Sequence, residues 1–298
     1  MNSFIKHYKI YLIVFAFLIV IGIIILIIFG LKPGIDFVGG SILEVEYKSD
    51  RPQSEKIREE LSGLDLGTIY IQPTEEKGII IKMKDISEET HQKVLEKMRE
   101  GGVEIEEKRF ETIGPTISQE LKNKTRIVIL VALLSMVLYI ALAFRRVQKP
   151  LRSWVYGLVT AIVLFCDVFI PLSIFSVLGK FYNVEITIPV ITALLTVMGY
   201  SINNVVVVFD RIRENIFKAR GKTFEEIINI SVKQTLSRQI NTSLTTLFTC
   251  IAIFFFGGET LKYFTLVLIL GITSGVFTSI FLASSLLMGW YYFLFSRK

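Results

Sequence analysis

Runs of about twenty residues with almost no charge recur along this chain, the first of them, 11–29, nearly unbroken aliphatic. A helix of that length crosses a bilayer, and in hydrocarbon every backbone polar group must find its partner inside the protein. The apolar residues come in such blocks rather than at amphipathic spacing, so the chain reads as a polytopic α-helical membrane protein. The first run continues into the folded region without a small-residue cleavage site and is read as a retained span. Five more follow at about 126–144, 153–178, 186–208, 240–256 and 263–294, the last long enough to include a kinked or interfacial portion.

Charge orients these spans. The segment 31–122 carries 14 Lys/Arg against 20 Asp/Glu, a net of −6, while the remainder is +12. Lys6 and Lys9, then Arg145, Arg146, Lys149 and Arg152, then Arg211 through Lys222 with Lys233 and Arg238, and finally Arg297 and Lys298 all flank loops or ends on one side. The positive-inside rule makes that side cytoplasmic, with both termini inside and the acidic insert and the short loops near Lys180 and Glu259 outside. Topology and anionic lipid account for the basic surplus, and no nucleic-acid partner is implied. The two cysteines, Cys166 and Cys250, lie within spans, and His7 and His91 stand apart, so neither a disulfide framework nor a metal site is indicated. His91 reads as a solvated helix position.

The insert alternates between two periods. Strand-like 41–47, 67–72, 78–84 and 103–111 are interleaved with helix-like 52–62 and 87–100, the latter opening on a Ser87 cap. The order β-α-β-β-α-β within so short a segment predicts a ferredoxin-like α+β domain outside the membrane. The domain limits expected are 1–30 for the N-terminus and first span, 31–122 for the outward domain, and 123–298 for spans two to six. No nucleophile and base, paired carboxylates or phosphate loop occurs in the insert, so a binding or force-transmitting module is expected and no enzyme.

Polar groups in spans are costly and therefore informative. Asp167 sits within LFCDVFIP, one turn before Pro171, which has no N–H to give, and is a candidate proton or ion site or a tie to a neighbouring helix. Thr192, Thr196, Gly199 and Asn203 share one helix face, with Tyr200 and Asn204 on its shoulder and Ser201 in the same run. Arg238, Thr242, Thr245 and Thr249 repeat that spacing in the fifth span. Gly271, Gly275, Ser279 and Ala283 recur every fourth residue in the sixth and read as a close helix contact. The segment 209–239 reads as an inward loop, with Asp210, Arg211, Arg213 and Glu214 at its start and a Thr223/Glu226 capping box after them. Its Phe224, Ile227, Ile228 and Val232 form an apolar face expected to rest on the inner membrane surface.

Four stretches in this order, GIDFVGG (34–40), ETIGPTISQEL (111–121), LTVMGYSINNVVVVFDRIREN (195–215) and QTLSRQINTSLTTL (234–247), resemble the SecF branch of the SecD/SecF family. The resemblance covers essentially the whole chain. It implies one six-span half of a resistance-nodulation-division architecture in the cytoplasmic (inner) membrane, with SecD supplying the other half, and work beside the SecYEG channel, YajC and YidC on a preprotein already driven by SecA. It also implies that the proton gradient, with no bound cofactor, powers the late stage of export. The family's proton coupling is attributed to intramembrane carboxylates near an arginine, which makes Asp167 and Arg238 the relay candidates here and Ser201, Asn203, Asn204, Thr242, Thr245 and Thr249 the polar lining. The chain has Asn204 where the family usually reads Asp, and Cys166 where it usually reads His. An amide carries no proton at physiological pH, so the partner's aspartate is expected to take the larger share. Asp36, Gly39 and Gly40 are expected to act as a structural hinge.

Two other readings belong to the same scaffold: a proton-driven lipid or small-molecule exporter half, and an uncoupled structural scaffold of the channel. An intramembrane aspartyl protease on Asp167 and Asp210 is disfavoured, because Asp210 falls at the end of its span and no GxGD stretch occurs.

Overall fold

The computed structural model describes residues 4–74, 77–100, 103–144, 150–218 and 221–295. Arg145, Arg146, Lys149, Arg220, Arg297, Lys298 and the side chain of Glu259, which bear on the orientation of the chain, lie outside the described residues. The chain divides into two compact units: a sheet unit, Pro33–Ile127, and a helical unit formed by the residues up to Lys32 and from Val128 onward.

After the long helix α1 (Tyr8–Phe29), the sheet unit begins with a single helical turn, α2 (Ile35–Val38). Strand β1 (Gly40–Tyr47), helix α3 (Ser54–Leu61), strands β2 (Tyr70–Thr74) and β3 (Gly78–Met83), helix α4 (Glu88–Arg99) and strand β4 (Ile105–Ile113) follow. The sheet order is β2-β3-β1-β4 and every neighbouring pair is antiparallel. Alternation explains the layering: Leu43, Val45 and Tyr47 of β1 and Ile79, Ile81 and Met83 of β3 are buried and share one core with Ile57 and Leu61 of α3 and Val94, Leu95 and Met98 of α4. Ser87 accepts a hydrogen bond from the Thr90 amide and caps α4, whose first turn is acidic and last turn basic, as the helix dipole favours.

His91 departs from the sequence reading. It is 3% exposed, stacked flat on Phe110 of β4 with ring centroids 3.7 Å apart, and its Nδ1 lies 3.1 Å from Glu88 Oε1. Helical periodicity put the ring on the side of α4 that β4 covers, a neighbour that α4 alone does not reveal.

Among the described residues six helical segments are long and apolar enough to cross a membrane. They are α1 with the short 3-10 turn before it, α5 (Pro115–Ala143), α6 (Ser153–Tyr182), α7 (Ile188–Lys218), α8 (Phe224–Phe256), and the run formed by α9 (Gly258–Phe277), a π-helical turn at Thr278–Leu282 and α10 (Ala283–Phe295). The irregularity expected in the last span is thus one wide turn inside a continuous helix. Helices α6, α7 and the α9–α10 run are half buried, whereas α1 and α5 bury few of their residues fully. The link between α6 and α7 is pinned: Asn183, in a left-handed conformation, accepts from Lys32 Nζ at 2.9 Å, and the Ile186 amide donates to the Lys32 carbonyl at 2.7 Å.

The segment 209–239 also differs from its reading. Helix α7 continues to Lys218, and α8 starts at Phe224 behind the reciprocal Thr223/Glu226 cap and runs unbroken to Phe256. Phe224, Ile227, Ile228 and Val232 are buried in the protein's own core with Phe209, Ile212 and Ile280, and Phe224 meets the Tyr291 ring at 4.8 Å. An apolar helix face is satisfied equally by lipid and by neighbouring helices, and here the helices supply the cover.

Candidate functional site

Asp167 is fully buried on the inner side of α6. Its Oδ1 accepts a hydrogen bond from Thr278 Oγ1 at 2.6 Å and its Oδ2 accepts one from Ser201 Oγ, so one carboxyl group ties α6 to α7 and to the π turn. Each contributing backbone is irregular or closely packed at that point. Pro171 sits within α6 where a residue with an N–H would bond the Asp167 carbonyl. At Thr278 the helix widens, with the Ala283 amide reaching back to the Thr278 carbonyl. Such wide turns are frequent at functional sites because they re-aim side chains without ending the helix. A Cβ added at Gly271 would run into the Val197 side chain, so α9 meets α7 closely beside the site. A buried carboxyl group is tolerated only when its oxygens are satisfied, and the two hydroxyls do that here.

A second polar cluster joins α7, α8 and the π turn. Gln239 is buried, its Nε2 donates to the Asn204 carbonyl at 2.9 Å, and its Oε1 accepts from Ser279 Oγ at 3.2 Å. The Asn204 side chain is buried too, and its Nδ2 has no partner among the described residues. Tyr200 Oη lies 3.3 Å from Ser243 Oγ across the α7–α8 contact, and Asn215 Nδ2 donates to Ser231 Oγ and Gln234 Oε1 at 2.8 and 2.9 Å near the end of α7.

The remaining expected lining points elsewhere. Asn203 on α7 and Arg238, Thr242, Thr245 and Thr249 on α8 are exposed, as are Thr192, Thr196 and Gly199. The threonines donate to carbonyls of their own helices, Thr242 to Arg238 at 2.8 Å and Thr245 to Thr242 at 2.8 Å among them. Two adjacent helices therefore carry exposed hydroxyls and an amide on their outer faces, with the Arg238 guanidinium one turn before Thr242 in the more polar first half of α8. Asp167 is brought together with Ser201 but not with Arg238.

Asp210, Arg211, Arg213 and Glu214 pair along α7 itself, Arg211 with Glu214 at 2.6 Å and Arg213 with Asp210 at 3.6 Å. Partly exposed pairs of this kind contribute at most about 1 kcal/mol. In the sheet unit Asp36 stands in the α2 turn, while Gly39 and Gly40 have φ of 78° and 136°, a region that glycine enters at least cost. A Cβ at Gly40 would lie 2.8 Å from the Met83 carbonyl, so the residue opening β1 has no room for a side chain.

Sequence reasoning missed Thr278 and Gln239. The four-residue stripe in the sixth span pointed to its contacting face, but Thr278 stands one position off that stripe, and Gln239 was overshadowed by Arg238. Among the described residues no three His, Cys, Asp or Glu side chains gather into a metal-binding group.

Two family descriptions match the chain: "Protein export membrane protein SecD/SecF, C-terminal" over residues 93–292 and "SecD/SecF GG Motif" over residues 24–50. The protein translocase subunit SecF of Thermobaculum terrenum is 40% identical over 92% of this chain and 89% of its own length. That of Anaerolinea thermophila is 35% identical over 96% of this chain and 92% of its own. Among solved structures, the crystal structure of SecDF from Thermus thermophilus, described as a translocon-associated membrane protein, superposes with a TM-score of 0.83 at 31% identity. The match takes in 97% of this chain and 38% of the SecDF chain. A structure of SecDF in a super-membrane-facing form gives a TM-score of 0.71 at 30% identity over 99% of this chain and 39% of that one.

Proposed function

The chain belongs to the SecD/SecF family of protein-export membrane proteins, and from that premise we propose that it is the SecF-type half of a two-half export motor. The observation that carries the proposal is the exposed polar stripe on α7 and α8, Asn203, Arg238, Thr242, Thr245 and Thr249, on two helices long and apolar enough to cross a membrane. Polar side chains at that depth are expected to face a second protein half. A SecD-type partner is that half, in keeping with a SecDF chain of which this one spans less than two fifths.

In this reading the assembly sits in the cytoplasmic membrane beside SecYEG, with both termini inside. The sheet unit, ferredoxin-like in its strand order, faces outward to hold a preprotein that SecA has delivered. Proton entry between the halves drives its motion. One charge falling through about 100 mV releases about 2.3 kcal/mol, enough to bias a two-state element roughly 50-fold. The partner's aspartate takes the proton beside Arg238, and Asn203 and Asn204 provide fixed hydrogen-bonding groups. Asp167 is the local titratable candidate, and its two hydroxyl donors give it a route to act: a protonated carboxyl group offers one acceptor fewer, loosening α7 or the π turn.

Depletion of the chain in its host, with labelled secretory precursors followed with and without an uncoupler, tests the reading. Export stalled at a late stage and little further affected by the uncoupler is the expected result. Normal export with altered lipid or small-molecule efflux would transfer the chain to the exporter reading. Asp167→Asn in the same assay examines Asp167 alone, and unchanged proton-dependent export would end its candidacy.

A further inference from the structure

The strand pair that begins and ends the sheet unit's central connection carries a charge cluster with no place in the proposed relay. Arg109 on β4 grips Glu111 with two nitrogens, Nε at 2.7 Å from Oε1 and Nη2 at 2.5 Å from Oε2. Glu44 on β1 stands directly opposite Arg109 in the register, and the β1–β4 ladder shifts by one residue immediately after that pair. A bulge at such a place re-aims the side chains beside it. Helix α2 packs on both β1 and β4, and its Asp36, like Glu44, acts on the same guanidinium by charge. Three carboxylates, from α2, β1 and β4, thus bear on one arginine, with Glu111 hydrogen-bonded to it.

What lies beside the cluster gives it consequence. The Gly39–Gly40 turn opens β1, Gly40 pairs with Ile113 at the end of β4, and a Cβ at Gly39 would lie 3.2 Å from the Ile113 carbonyl and 3.6 Å from the Pro115 nitrogen. The strand that enters the unit and the strand that leaves it therefore run side by side at this point. Ser41 Oγ, donating to Thr112 Oγ1 at 2.8 Å and accepting from the Ile86 amide at 3.0 Å, ties the same two strand ends together from the other side of the sheet.

We propose that Arg109 is a positioning residue for this turn: by gathering Asp36, Glu44 and Glu111 it latches α2 onto β4 and fixes the Gly39–Gly40 hinge in one conformation. A latch of partly exposed charges differs from a packed hinge in one measurable respect, its sensitivity to salt. Ionic strength screens the charges but leaves the apolar core and the close approach of Gly40 to Met83 as they are.

The test is amide hydrogen exchange on the full-length chain in detergent, reading Phe37, Val38 and Gly39, whose amides bond to the carbonyls of Gly34 and Ile35. Arg109→Gln is expected to speed exchange at these three amides about fivefold, with Leu43 and Val45 in the core of β1 unchanged as the control for folding. In the parent chain, raising NaCl from about 0.05 to about 0.5 M should act in the same direction, and in Arg109→Gln, where only the carboxylates remain, salt should no longer speed exchange. Asp36→Asn should loosen the same amides and add nothing to Arg109→Gln. Unchanged exchange in Arg109→Gln, or an acceleration by salt that survives the substitution, would overturn the proposal.

Discussion

Helix α7 shows two kinds of polarity in one helix. On its buried side Ser201 donates to a carboxylate on another helix, and the Asn204 carbonyl takes a hydrogen bond from Gln239. On its exposed side Thr192 and Thr196 donate to their own helix at 3.0 and 2.9 Å, and Asn203 faces away from the bundle. The buried groups knit this chain together. The exposed ones contribute little to its own fold, and their place in an apolar helix makes sense when a second protein half covers them. The difference separates residues whose loss damages this subunit from residues whose loss damages an assembly.

Substitutions that break this distinction can be ordered by size. Asp167→Ala removes the acceptor of two buried hydroxyls and should lower the stability of the purified chain by about 2–4 kcal/mol, read from thermal unfolding in detergent. Asp167→Asn, which keeps the shape and one acceptor oxygen, should cost clearly less. Gly271→Val forces α9 away from Val197 and should cost about 1–3 kcal/mol by the same measurement. Gln239→Ala breaks the bridge between Asn204 and Ser279 and should cost about 1–2 kcal/mol. The paired change Thr242→Ala with Thr245→Ala should stay within about 0.5 kcal/mol in the isolated chain, yet weaken its co-purification with a SecD-type partner. An equal stability loss from the exposed and buried sets would erase the distinction.

The sheet unit adds a prediction that leaves both helical faces untouched. Burial, aided by the charge of Glu60, pushes the Tyr47 phenol up to about 12 from the ordinary phenol value of about 10. The folded unit therefore holds the neutral phenol after the unfolded chain has begun to ionise. The Tyr47 contribution to stability is full below pH about 10, falls as pH rises towards about 12, and levels off beyond it. Spectrophotometric titration of tyrosinate, parent minus Tyr47→Phe, should give a difference curve centred near 12. A curve centred near 10 would show that the phenol is not shielded.

Much of this architecture is legible in the sequence, for reasons that also mark where legibility stops. The membrane helices announce themselves because lipid demands uninterrupted apolar runs, and the strands because one face of a sheet is buried. The amphipathic start of α8 reads from sequence as lying on a membrane surface, since four apolar residues at helical spacing do not reveal what covers them. His91 reads from sequence as solvated because Phe110, which stacks on it, belongs to the next strand. Asp167 stood out as a charge in hydrocarbon, but its partner Thr278 is supplied by another helix at a wide turn that no residue pattern announces. Asn204, read as lining, is interior, and Asn203 beside it is the amide that faces outward.

The most direct test of the two-half account is site-specific cross-linking in membranes. A photoreactive residue placed at Asn203 or Thr245 is compared with one at Leu134, an exposed apolar position on α5. The account predicts a cross-link from Asn203 and Thr245 to a SecD-type chain and only lipid adducts from Leu134. Lipid adducts alone from Asn203 and Thr245 would contradict it.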